Sequence, residues 1–420
     1  MERRTLAGLA IIAACVGGSA RAQLLPPSDS LVQFNKYTAV RERVTPGYSP
    51  VDIIIGSFSL TPSLDVTGEY NDNIYALQKP RVADEFIDIA PSVGLTSTSA
   101  SRSLSLNASG RLDRYVSHPS ENTEEVDVSA FASQQLGSGT RVRLITRYHQ
   151  DRESRESENA YVLTQRPVRY ETAAVALGVS QRFASLLILG EGGIQHSNYF
   201  NAALADGTPV DQHFRNNDLK SVRFRAEVAQ SPSLAYFAQA TQQWVDYRAA
   251  DSGGGSRNLE LLGGVRFELP IRARGEIGAG YVRAKSDGIA NTFSGIAVNS
   301  KVIFFPTDLL TVTVNAQRSV NNAGTPTRSG YVALSGSVQA DYELLRNLIL
   351  GANVEFERDT FNGFDRRDRR VAGGVNAEYR LSSGWAIRAS YDVLDLSSTG
   401  VARYKSFSRN RAQLGLRFYL

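Results

Sequence analysis

Along most of this chain apolar and polar side chains alternate one by one. In 221–229, Val222, Phe224, Ala226 and Val228 fall on one side, and Arg223, Arg225 and Glu227 on the other. In 310–316, Leu310, Val312, Val314 and Ala316 share a side. A period of two is that of a β-strand with one apolar and one polar face. From Gly56 onward the unit recurs about every twenty residues, an alternating segment followed by a turn, and the pattern predicts about eighteen strands. The connections alternate in length. Short ones fall at 98–101, 137–139, 231–232, 270, 306–308 and 382–384, and longer polar ones at 73–83, 155–166, 199–215, 249–255, 321–327 and 362–366. Short turns at one end and long loops at the other describe an all-β chain folded as a transmembrane antiparallel up-and-down β-barrel. An even strand count returns the C-terminus to the short-turn end. Aromatics gather near both strand ends, as two interfacial belts require. Phe183, Tyr236, Phe267, Phe304, Tyr342, Tyr379, Trp385 and Phe418 lie near the short turns, and Tyr70, Tyr115, Tyr148, Trp244, Tyr247, Tyr331 and Phe356 near the long loops.

The first twenty-two residues differ. A charged start, Glu2-Arg3-Arg4, precedes an apolar run from Leu6 to Val16 and an Ala20-Arg21-Ala22 cleavage site, the anatomy of a secretory signal peptide over 1–22. Lipid attachment at Cys15 is the alternative processing. Cleavage after Ala22 removes the one cysteine, and with it any disulfide or thiol chemistry, and lowers the formal charge from +4 to +2. Residues 23–56, punctuated by Pro26, Pro27, Pro46 and Pro50, read as an irregular periplasmic N-terminal extension, with a small plug inside the lumen as the other possibility. The barrel then occupies 57–420. No later apolar run reaches the length of a membrane helix, and the mean hydropathy of −0.24 accords with strands that expose only alternate residues to lipid.

The inward set carries both charge signs. Arg141, Arg143, Arg147, Arg223, Arg225, Arg272 and Arg274 form a candidate basic strip along the lumen; Glu227, Glu260, Glu276, Glu355 and Glu357 are its acidic counterparts. Two readings stand: ion-pair ladders that keep a wet wall open, or a selective strip for anionic solutes. The loop 199–215 is the first candidate for a constriction. Candidate chemistry is sparse. Only His118, His149, His196 and His213 are available, and no spacing joins His196-Ser197 to a third catalytic group. Asn71-Asp72-Asn73 offers oxygen ligands but suits an Asx turn better, and 151–158 reads as solvated mixed charge. No phosphate loop, zinc spacing or basic tract with interleaved aromatics is present, so a metal site, a cofactor, catalysis and nucleic-acid binding are not expected.

Two stretches carry resemblances. The last eight residues, with Gln413, Gly415, Phe418 and Leu420, resemble the terminal assembly signal of outer-membrane β-barrel proteins, departing only in ending on leucine. The approach Pro46-Gly47-Tyr48-Ser49-Pro50, then Gly56-Ser57-Phe58, Pro62-Ser63-Leu64 and Tyr70-Asn71-Asp72-Asn73-Ile74-Tyr75, resembles the opening of the putative β-barrel porin 2 family. The resemblance implies a bacterial outer-membrane barrel, with outer-membrane lipids and the barrel-assembly machinery as partners. It also implies a link to exopolysaccharide production or export, as conduit or accessory, and no catalytic residues. A general diffusion porin for small solutes and a structural or adhesive barrel are the alternatives.

Overall fold

The computed structural model describes residues 29–99, 101–157, 160, 163–249, 255–286, 292–322, 330–361, 363 and 365–419; the leader read at 1–22 and Leu420 lie outside them. A short strand β1 (Ile53–Ile55) precedes β2 (Phe58–Asn71), β3 (Asp84–Thr98), β4 (Arg102–Tyr115), β5 (Thr123–Leu136), β6 (Thr140–Arg152), β7 (Arg169–Phe183) and β8 (Leu186–Tyr199). A loop hairpin, β9 (Ala202–Ala203) with β10 (Pro209–Val210), comes next. Then follow β11 (Asn217–Ser231), β12 (Leu234–Tyr247), β13 (Ser256–Leu269), β14 (Ala273–Ser286), β15 (Thr292–Thr307) and β16 (Leu310–Asn322). The last are β17 (Gly330–Leu345), β18 (Leu348–Phe361), β19 (Arg367–Arg380), β20 (Trp385–Thr399) and β21 (Phe407–Tyr419).

Eighteen of these, β2–β8 and β11–β21, pair antiparallel in chain order and close into a barrel. Closure is made by β2 against β21, in register from Ser63 opposite Tyr419 to Asn71 opposite Arg411. A ring leaves no barrel strand with an unpaired edge, which is what backbone in hydrocarbon requires. Eighteen tilted strands at ordinary spacing enclose a cylinder roughly 35 Å across between backbones, too wide for wall side chains alone to fill.

The predicted alternation decides which face is which. On β11, Phe224 is 63% exposed on the outside, whereas its neighbours Arg223 and Arg225 are buried within the barrel. Tyr236, Phe304, Tyr342, Tyr379 and Trp385 project outward at the short-turn end, and Tyr70, Tyr148 and Phe356 at the other. Not every aromatic joins a belt. Tyr331 stacks on Phe361 and Tyr115 on Phe86, inside the barrel, because their positions along the strand have inward parity. Gly415 sits opposite Thr67 at the closing seam, where any side chain would overlap Thr67.

Candidate functional site

Among the described residues polar chemistry converges on a large scale in the lumen, which is built in three tiers. The middle tier is a wall of ion pairs. At the closing seam Arg417 chelates Asp65 through Nε and Nη2 at 2.7 and 2.5 Å, and Arg388 of β20 adds a third contact to Asp65 at 3.2 Å. Arg411 bonds Asp392 at 3.2 Å and lies 3.9 Å from Glu69. Strand pairing thus brings opposite charges into cross-strand rows, the arrangement that stabilises adjacent strands.

The candidate basic strip is distributed through this wall as paired charge. Buried Glu191 on β8 holds Arg143 at 2.7 Å and Arg223 through Nε at 2.5 Å. Arg225 bonds Glu276 at 2.8 and 2.9 Å and Glu227 at 3.2 Å, with its guanidinium over the Phe237 ring. Arg147 meets Asp127 at 2.5 Å, Arg274 meets Glu42 at 2.7 Å, and half-exposed Arg141 lies 3.6 Å from Asp29. Arg272 does not line the lumen; it sits in the short connection before β14 and pairs with Asp308 of the next such connection. Glu260 and Glu355 point inward with no cation within ion-pair distance among the described residues, whereas Glu276 serves both Arg225 and Arg266 and Glu357 is partnered. The arginines are therefore counter-ions of carboxylates in the wall, the N-terminal segment and one turn, and the described residues show no continuous free basic strip.

The second tier is the N-terminal segment. Residues 29–43 run inside the barrel along its short-turn end, taking the inner of the two courses open to that segment. Asp29 starts against Arg143 on β6 and Ser180 on β7. Glu227 accepts hydrogen bonds from the Ser30 hydroxyl and the Leu31 amide, at 2.6 and 2.7 Å. Glu268 then accepts the amides of Asn35, Lys36 and Tyr37 at 3.1–3.3 Å. Tyr37 stacks on Phe305 of β15, the Val40 amide donates to Thr311 of β16, and Arg41 and Arg43 reach Asp341 and Glu343 of β17. Arg41 also donates to Asn376 on β19, and a side chain at Gly351 on β18 would collide with its guanidinium. The segment is an ionic strap laid round the inner wall from β6 to β19. The sequence left this course open as one of two because the bonds that fix it join residues more than a hundred positions apart and leave no local period.

The third tier is a loop. In the connection 153–168 after β6, the described residues 153–157, 160 and 163–168 lie across the opposite mouth. Arg155 is buried on Glu121 at 2.8 and 2.9 Å and on Thr164, while Glu156 receives Arg409 of β21 at 2.8 Å. Arg370 of β19 donates to the Glu156 carbonyl at 2.7 Å, and the loop carbonyls of Arg155 and Ala160 accept from Lys405 and Tyr404. Between β6 and β19 stand β5, β4, β3, β2, β21 and β20, so this loop bridges well-separated parts of the rim. The expectation of solvated surface at 151–158 is corrected: Arg155, Glu156 and Ser157 are buried, with partners from the loop before β5, from β19, from the loop before β21 and from β21 closing on this stretch. The loop 199–215, the expected constriction, instead braces it, with Arg215 on Glu153 at 2.6 and 3.0 Å and the Gln165 amide on the Ala203 carbonyl.

The remaining motifs are structural. Asn73, almost wholly buried, bonds the Leu77 backbone and the Ser408 carbonyl, and its amide donates to Asn71, as an Asx turn should. His196 points outward to Asp218 while Ser197 is buried on the inner face, so that histidine cannot serve that serine as a base. At the C-terminus Gln413 accepts from Ser390 inside, and Phe418 packs edge-on against Trp385 outside.

No curated protein matches the chain. Among solved structures, it resembles the FrpB iron transporter of Neisseria meningitidis in its apoprotein form, at 8% identity and a TM-score of 0.45 over 86% of this chain and 81% of that one. It resembles OpdK of Pseudomonas aeruginosa, solved with vanillate, at 11% identity and a TM-score of 0.44 over 86% and 98%. The ferric enterobactin receptor PfeA of Pseudomonas aeruginosa gives 8% identity and 0.44 over 86% and 80%. A family model matches residues 45–420, which takes in every strand of the barrel, and on that match the chain belongs to the putative β-barrel porin 2 family.

Proposed function

We propose that this protein is a narrow porin-like conduit of the bacterial outer membrane for small polar solutes. The observation that carries the reading is the occupation of the lumen from both ends: the 29–43 strap at one mouth and the 153–168 loop at the other. An empty eighteen-stranded barrel would suit a broad aqueous channel; this one has its cross-section reduced by its own chain. The wall charges are mostly matched, so selectivity between anions and cations is weak.

The exopolysaccharide link implied by the family resemblance takes a definite form here. A barrel filled in this way suits an accessory beside an export machine, passing small units, better than a duct for a polymer. Gln413, Gly415, Phe418 and Leu420 are the residues we assign to recognition by the assembly machinery. Planar-bilayer recording of refolded protein tests the conduit. Small, weakly selective openings support it, and their absence in both the full protein and a strap-truncated form favours a structural or adhesive barrel.

A further inference from the structure

One cluster in the wall is not absorbed by that reading. Near the long-loop ends of β5 and β6, Glu125 and Asp151 face the lumen one step beyond the paired positions Val126 and Gln150, so two carboxylates oppose each other across the sheet. Like charges set opposite one another destabilise a strand pair unless something neutralises them. Asp127 has Arg147 at 2.5 Å, but neither Glu125 nor Asp151 has an arginine or lysine side-chain nitrogen within 4 Å among the described residues, and Asp151 accepts only the Arg152 backbone amide, at 2.6 Å.

What they share is His149. The residue is 9% exposed, and its Nδ1 makes no well-directed hydrogen bond although Asp127 Oδ2 lies 3.2 Å away and Glu125 Oε1 3.9 Å. On the other edge Nε2 lies 3.4 Å from the Tyr170 hydroxyl and 4.0 Å from Asp151 Oδ2. One ligand atom from each of Glu125, His149 and Asp151 lies within 4.8 Å of the others. An imidazole with two carboxylates is a nitrogen–oxygen donor set of the kind that takes zinc and similar divalent transition ions, with water completing the shell. The Tyr170 hydroxyl, 3.4 Å from Nε2, is the neighbouring oxygen that orients the imidazole as ligating histidines usually are oriented, and it leaves the unbonded Nδ1 for an ion.

We propose that Glu125, His149 and Asp151 form a divalent transition-metal site in the lumen wall. Asp151 lies at the foot of the 153–168 loop, so an ion bound there ties β5 and β6 together where that loop departs. The site is independent of whether the barrel conducts.

The test uses untagged, refolded, metal-free full-length protein titrated with zinc by calorimetry, with cobalt substituted for its visible absorption bands. One equivalent is expected to bind. H149Q, and separately E125Q/D151N, should lower the affinity by about a hundredfold, with the heat-modifiable gel mobility of the folded barrel retained. H196Q/H213Q, which removes two histidines outside the cluster, should leave binding unchanged. Zinc binding that survives H149Q and E125Q/D151N, or no binding by the parent protein, overturns the assignment. If either cluster variant fails to fold, the cobalt spectrum of the parent decides: bands of a nitrogen-containing site support the assignment, and the featureless spectrum of hydrated cobalt refutes it.

Discussion

Glu156, in the loop after β6, is held by Arg409 of the final barrel strand, Nε to Oε1 at 2.8 Å, although the two lie 253 residues apart. Arg409 is among the most deeply buried side chains of the protein. A charge so placed needs its partner. Glu156→Ala removes that partner and leaves Asp392 as the remaining carboxylate on Arg409. Breaking one side of a buried pair costs about 3–5 kcal/mol; with Asp392 still present, the loss is expected at the lower end. In single-channel recordings this variant should show larger and noisier openings than the parent. Replacing 155–163 by a short glycine–serine link should enlarge them further.

The strap offers a separate handle. Glu268 gathers three consecutive backbone amides, and a glutamine there loses the charge that makes such bonds strong. Glu268→Gln should loosen 29–43 without touching the strands, raising protease sensitivity of the N-terminal segment in folded protein. Deleting 29–43 should raise conductance while leaving strand content by circular dichroism unchanged.

The wall predicts an asymmetry among its charges. Glu191 is fully buried between Arg143 and Arg223, so Glu191→Gln removes the charge that both guanidinium groups share and should lower stability in urea by about 3–5 kcal/mol. Arg223→Glu together with Arg225→Glu should prevent folding for the same reason. Arg141 is half exposed with only a loose contact to Asp29; Arg141→Glu should fold normally and shift reversal potentials toward cation preference.

The outer face is tested by Phe224, which projects from the middle of β11. An arginine there meets hydrocarbon and should cost about 2–4 kcal/mol in vesicle-based unfolding, whereas Lys220→Gln, near the long-loop end of the same strand, should cost little.

The barrel was legible because its signal is local and repeated: alternation such as Val222-Arg223-Phe224-Arg225, with turns of alternating length, fixes strand number and facing. The interior was not. Whether Arg223 is a free cation or a counter-ion depends on Glu191, a neighbour only after β8 and β11 pair across a loop. The 153–168 loop looked like ordinary solvated charge, since Arg155 and Glu156 find their partners at Glu121 and Arg409, far off in the chain. Longest was the wrong criterion for a constriction; what matters is which loop has buried partners across the mouth.

The most direct measurement locks that loop in place. Its only cysteine being Cys15, the protein admits a clean Glu156→Cys/Arg409→Cys pair. The account predicts that a short, reducible bis-thiosulfonate crosslinker joins the pair across the span left by the ion pair it replaces, that the crosslinked channel conducts no more than the parent, and that reduction reversibly enlarges its openings. A pair that does not crosslink in the folded barrel, with conductance indifferent to reductant, would contradict it.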